Sequence, residues 1–155
     1  MSIDDTLTAL GIELPKAAAP AANYVPFVMA GGLLHIAGQI TFTADGRLVK
    51  GRLGDDMGVE DGAAAARLCA LNLVAQMKAA LGSLDRVSRI VKLGVFVAST
   101  PDFTDQPEVA NGASNLMVEI FGDAGRHARS AVGVAALPRG VAVEVDAIVA
   151  YADPG

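Results

Sequence analysis

Apolar positions recur along this chain with two periods, one helical and one extended. Ile3, Leu7 and Leu10 fall on one helical face, with Ser2 placed to cap the helix and Gly11 to stop it. Residues 15–23, PKAAAPAAN, read as an extended linker, because each proline biases the residue before it away from helix. Residues 24–30 and 33–37 flank Gly31-Gly32, the pattern of a β-hairpin with a two-residue turn. A polar loop around Asp45-Gly46 follows, with a short strand around Arg52. Residues 59–81 carry the longest helical signal: Glu60 and Asp61 open it, Gly82 closes it, and Ala66, Ala70, Leu73, Met77 and Leu81 recur at three or four. So wide a stripe needs a sheet beneath it.

Residues 90–98 are rich in β-branched side chains and predict a central strand. A second helix is expected over 107–121, with Pro107 in its first turn and Gly122 at its end. Strands over 130–136 and 141–151 complete the order β-β-α-β-α-β-β after a helical arm. That order predicts an α+β layer, a mixed β-sheet with two helices packed on one face. In the last strand Val141, Val143, Val145 and Ala147 alternate with Ala142, Glu144, Asp146 and Ile148. The period of two puts Glu144 and Asp146 on the face opposite the valines.

The chain has 155 residues, enough for one domain with a core of its own. Apolar residues make up 52% and charged residues 19%, which excludes intrinsic disorder. Mean hydropathy is +0.43, yet no uninterrupted apolar run is long enough to span a bilayer. The apolar surplus instead implies a surface covered by another subunit. A net charge of −5 with no Lys/Arg cluster argues against a nucleic-acid partner. The single Cys69 excludes a disulfide framework and a thiolate metal cluster. Asp4 and Asp5 stand where a signal peptide would carry basic residues, so a cytoplasmic protein is expected.

Candidate chemistry is sparse. His35 and His127 are the only histidines, and no His, Asp or Glu cluster has a metal-ligand spacing; no metal and no cofactor are expected. His35 reads as a strand residue and His127 as a loop residue. Arg129 precedes an apolar strand, where a guanidinium is costly to bury without an anion. It reads either as a solvated or salt-bridged arginine, paired to Glu144 or Asp146, or as a clamp for a substrate carboxylate. Tyr24 reads as a half-buried aromatic at a strand start.

The segments Asn23-Tyr24, HIAGQI at 35–40, ARSAV at 128–132, and Leu137-Pro138 through VEVDAI at 143–148 resemble the RidA (YjgF) family, also called endoribonuclease L-PSP. The step from Arg129 to Glu144, with Leu137-Pro138 between, is its most specific part. The ANGAS stretch at 110–114 and GRHARSAVGVAALP are similar to a longer bacterial RidA-like subgroup with an N-terminal helical arm. On this reading residues 1–22 are the arm and linker, and 23–151 the RidA-like domain.

The resemblance implies a chorismate-mutase-like α+β fold assembled as a homotrimeric barrel, with clefts between subunits. It implies hydrolysis of reactive 2-imino or enamine acids, such as 2-aminoacrylate and 2-iminobutanoate, to 2-keto acids and ammonia without metal or cofactor. Arg129 would hold the substrate carboxylate, with Glu144 and Tyr24 as further catalytic residues. Gly38, Ala131, Ser114 and Asn111 would line the substrate site. Active members often carry Cys at the Ala131 position, Ser at the Ala37 position and Asn near the Ser114 position. A clamp kept while its walls differ also fits a non-catalytic trimeric module that binds a small carboxylate or keto acid.

Overall fold

Gly31 and Gly32 have φ of +61° and +79°, the left-handed pair that a tight hairpin turn requires and that side chains resist. The computed structural model describes residues 1–20 and 22–154; Ala21 of the predicted linker and Gly155 lie outside the described residues. The turn joins β1 (Phe27–Ala30) to β2 (Leu33–Gln39) in antiparallel register, Ala30 opposite Leu33 and Phe27 opposite Ile36. After α2 (Val59–Leu81) come β3 (Val87–Ala98), α3 (Gln106–Phe121), β4 (Ala128–Val134) and β5 (Val143–Tyr151).

The strands form one five-stranded sheet in the order β1-β2-β5-β3-β4. Only β3 and β4 are parallel, with α3 as their crossover, so the sheet is mixed. Leu93, Val143, Val145 and Val149 from the strands meet Leu73, Met77, Leu116 and Met117 from α2 and α3 in a fully buried core. Each such side chain contributes about 1.5–3 kcal/mol by leaving water. The two long helices lie side by side, and Gly112 of α3 comes so near the Ala63 carbonyl that any Cβ would overlap it.

Among the described residues no helix covers the opposite face of the sheet, and it carries Glu144 and Asp146 as the alternation predicts. Around it stand exposed apolar side chains, among them Val28 and Val132. Among the described residues no helix is long and apolar enough to cross a membrane.

The arm folds back on its own chain. In α1 (Ile3–Ala9) the Ser2 hydroxyl accepts from the Asp5 N–H while the Asp5 carboxylate accepts from the Ser2 N–H, a reciprocal cap. Leu7 is buried, Lys78 pairs with Asp4 at 2.8 Å, and the Ile3 N–H donates to Asp85.

Several boundaries differ from the pattern. The first strand begins at Phe27 rather than Tyr24, because Pro26 has no N–H to donate to a ladder. The region around Arg52 forms only isolated bridges, Lys50 with Val141 and Leu53 with Met57 and Ser99. β3 is an interior strand, as expected, paired with β5 on one side and β4 on the other. β4 starts two residues early and includes Arg129.

Candidate functional site

The register between β2 and β5 slips once. Ile36 opposes Ala147 but Gln39 opposes Val145, so Ala37 and Gly38 together face one residue of β5. Such a bulge re-aims the side chains beside it. Here it makes room for Glu144: a Cβ built on Gly38 would lie 2.5 Å from Glu144 Oε2. Glu144 and Gly38 share a cavity of about 310 Å³ with Tyr24, Gln39, Pro138 and Arg139. Burial raises the Glu144 carboxyl above its ordinary value, and the neighbouring Asp146 charge raises it further. Burial also raises Asp146, against a Gly94 backbone hydrogen bond and the Lys92 charge.

If Glu144 is a reacting group, Gly38→Ala is expected to cost activity about tenfold to a hundredfold, since small displacements of such a group have effects of that size. The added methyl meets only the end of a flexible side chain and the backbone is unstrained, so the melting temperature should stay nearly unchanged. Parallel kinetics and thermal melts check this.

One wall of the cavity comes from the linker, which sequence reading left without a role. Ala18, Ala19 and Pro20 line it. The Gln76 amide, on α2 and 1% exposed, donates to the Ala18 carbonyl at 2.8 Å. Gln76→Leu keeps the volume but strips that carbonyl of its partner, a loss of about 1–3 kcal/mol. Urea denaturation should show the drop, and hydrogen exchange should rise first in residues 17–20.

Arg129 lies elsewhere. It pairs with Leu93, which pairs with Ala147, and both are buried beneath the helices. Val132, Phe96 and Glu144 form the equivalent row on the open face. Arg129 and Glu144 therefore sit on opposite faces of one sheet. The expected salt bridge to Glu144 or Asp146 is overturned, whereas a partly exposed side chain at the start of β4 agrees with the strand-end alternative. The guanidinium turns onto α3, donating from Nη1 to Asn111 Oδ1 at 2.8 Å and to Ser114 Oγ at 3.1 Å. Among the described residues no carboxylate pairs with it. Ala131, two residues on, shares its face and packs against the core.

His127, read from sequence as a loop residue, joins this group: its Nε2 is 2.9 Å from Ser114 Oγ and its Nδ1 is 2.7 Å from the Gly125 carbonyl. Burial and the nearby Arg129 charge hold it below its ordinary value. His127 precedes β4, as a loop residue should, and its nearness to Arg129 in sequence was the available signal. Cys69 is fully buried in the core, where desolvation pushes its thiol up. Thus Tyr24, Gly38 and Glu144 come together in one place, and Arg129, Asn111 and Ser114 in another.

The family model described as "YjgF/chorismate_mutase-like, putative endoribonuclease" matches residues 4–146. The chain belongs to the RidA (YjgF) family. Protein TCP17 of Trypanosoma cruzi is 59% identical over 144 residues, 92% of this chain and 90% of that one. The crystal structure of protein Atu1372, of unknown function, from Agrobacterium tumefaciens superposes with a TM-score of 0.89 at 47% identity, covering 97% and 94% of the two chains. A family member from Dermatophagoides farinae, 2-iminobutanoate/2-iminopropanoate deaminase, is 30% identical over 89% of this chain and 93% of its own. The mixed five-stranded sheet with its helices is thus the YjgF/chorismate-mutase-like fold.

Proposed function

We propose that this RidA-family protein hydrolyses 2-imino acids and their enamine tautomers to 2-keto acids and ammonia, in clefts between the subunits of a homotrimer. One observation carries the reading: Arg129 is a guanidinium held by neutral partners on the edge strand, with no carboxylate partner among the described residues. Such a group is an unfilled anion site. The D. farinae relative's name supports an imino-acid substrate. The separation of Arg129 from Glu144 by the thickness of the sheet supports a site completed by a second copy, and the exposed Val28 and Val132 give that copy apolar surface to cover.

The chemistry asks little of the protein. Arg129 fixes the substrate carboxylate by two charge-assisted contacts. The Glu144 carboxylate of the neighbouring subunit takes a proton from water as its oxygen bonds to the carbon of the protonated imine and the C=N π pair passes to nitrogen. That proton then goes to the carbinolamine nitrogen; as the C–N bond breaks and ammonia leaves, the C=O bond forms and the hydroxyl proton passes to Glu144. Tyr24 and the Ala18–Pro20 wall limit the space around the reacting carbon. Positioning and general-base help of about 10²–10⁴-fold are enough for a reaction that already proceeds in water.

The test generates 2-iminobutanoate in the cuvette with an amino-acid oxidase and traps what survives with semicarbazide. Wild type should deplete the trapped imine and Arg129→Ala should not. If wild type matches buffer, the site binds a small carboxylate without turnover, and the deaminase reading fails.

A further inference from the structure

We infer that Ser114 and His127 are positioning residues that commit Arg129 to a single carboxylate-binding edge. The inference rests on the reading of Arg129 as the anion clamp and adds what fixes that clamp in place.

The argument is a count of donors and acceptors. The Gly125 carbonyl can only accept, so the His127 Nδ1 facing it at 2.7 Å carries the proton. In the neutral ring Nε2 is then an acceptor, and the Ser114 hydroxyl, 2.9 Å away, donates to it. With its hydrogen so committed, Ser114 Oγ turns a lone pair toward Arg129 Nη1 at 3.1 Å. Burial and the guanidinium both favour the neutral imidazole that this order needs. The chain runs in one direction, from Arg129 through Ser114 and His127 to the backbone, and no member has its donor and acceptor roles free to exchange.

Asn111 Oδ1 takes the second Nη1 hydrogen at 2.8 Å. Nη1 is the nitrogen on the Cδ side of a guanidinium, so both hydrogens on that side are held. The Pro107 carbonyl stands 3.5 Å from Nη2. What remains among the described residues is the other edge, where Nε–H and the inner Nη2–H point in parallel. Two parallel N–H groups match the two oxygens of a planar carboxylate. The ligand class is therefore a carboxylate approaching edge-on, from the side away from α3. Asn111 and Ser114, expected from sequence to touch the substrate, act through Arg129 instead.

Three variants test this beside Arg129→Ala. Ser114→Ala should raise KM for 2-iminobutanoate about tenfold with kcat nearly unchanged, because the guanidinium is freed to rotate but the reacting centre is untouched. Ser114→Thr keeps a hydroxyl and should restore KM. His127→Phe keeps the ring volume, should raise KM severalfold, and should add nothing in the Ser114→Ala background, as expected for groups acting in series. Imidazole ¹⁵N spectra should show the Nδ1–H form in wild type and in Ser114→Ala alike, with the Nε2 resonance shifted in Ser114→Ala by loss of its hydrogen-bond donor. Unchanged KM in Ser114→Ala and His127→Phe, beside a raised KM in Arg129→Ala, would overturn the inference alone. A fall in kcat at constant KM would also overturn it, by placing Ser114 at the reacting atoms. If Arg129→Ala itself leaves kcat/KM untouched, the clamp reading fails first.

Discussion

Subunits carrying Arg129→Ala, co-expressed in equal amounts with subunits carrying Glu144→Gln, are expected to regain about a quarter of the wild-type hydrolysis rate, although each variant alone is nearly inactive. Arg129→Ala removes a charge-assisted contact worth about 1.5–3 kcal/mol, which is about 10- to 150-fold in kcat/KM. Glu144→Gln removes the base and about 10²–10⁴-fold with it. The recovery follows from the sheet. Arg129 shares the buried row of Leu93 and Ala147, and Glu144 the open row of Phe96 and Val132, so no bending within one chain brings them to one small molecule. In the proposed cleft a complete site takes its arginine from one copy and its glutamate from another. In randomly mixed rings each requirement is met half the time, so about one site in four is whole. A rate that stays at the average of the two parents would mean that the halves do not meet across subunits, and the proposed cleft would be wrong.

The same opposition of faces shows why the fold was more legible than the site. Period-two alternation over residues 141–148 placed Glu144 and Asp146 on the open face, and β5 keeps that pattern. The long helix matches its expected bounds because acids at one end and glycine at the other are local signals. The salt-bridge alternative for Arg129 failed because its partners are not local. Asn111 and Ser114 lie across the β3–β4 crossover, and which face of β4 carries Arg129 depends on where that strand begins. With β4 starting at Ala128, Arg129 turns toward α3. Gln76 and Ala18 escaped notice for a related reason: the hydrogen bond joining them closes a long loop between an alanine-rich linker and the middle of a helix, where neither segment carries a distinguishing pattern.

Glu144→Gln should stabilise the protein at neutral pH while abolishing catalysis, and the two effects should have opposite pH dependence. Burial first and Asp146 second raise the Glu144 carboxyl in the folded state; unfolding returns it to its ordinary value. A carboxyl that holds its proton more tightly when folded contributes stability that is fully present below the unfolded pKa. That contribution is lost as pH rises through the folded pKa. At pH 7 wild type therefore carries a desolvated charge that the neutral amide does not, and Glu144→Gln should melt higher. The gap should close on acidification, once wild type is protonated too. Catalysis runs the other way. The base must be ionised to take a proton from water, so kcat/KM should climb with pH through the raised Glu144 pKa and remain low and flat in Glu144→Gln. Asp146→Asn separates the causes: it removes the charge beside Glu144 but not the burial, so the acidic limb of the rate profile should move to lower pH without disappearing. Thermal melts and kcat/KM measured over one pH series decide the matter. A rate limb that ignores Asp146→Asn, or a Glu144→Gln variant less stable than wild type at pH 7, would mean that Glu144 is not the half-desolvated base that its place behind the Gly38 bulge implies.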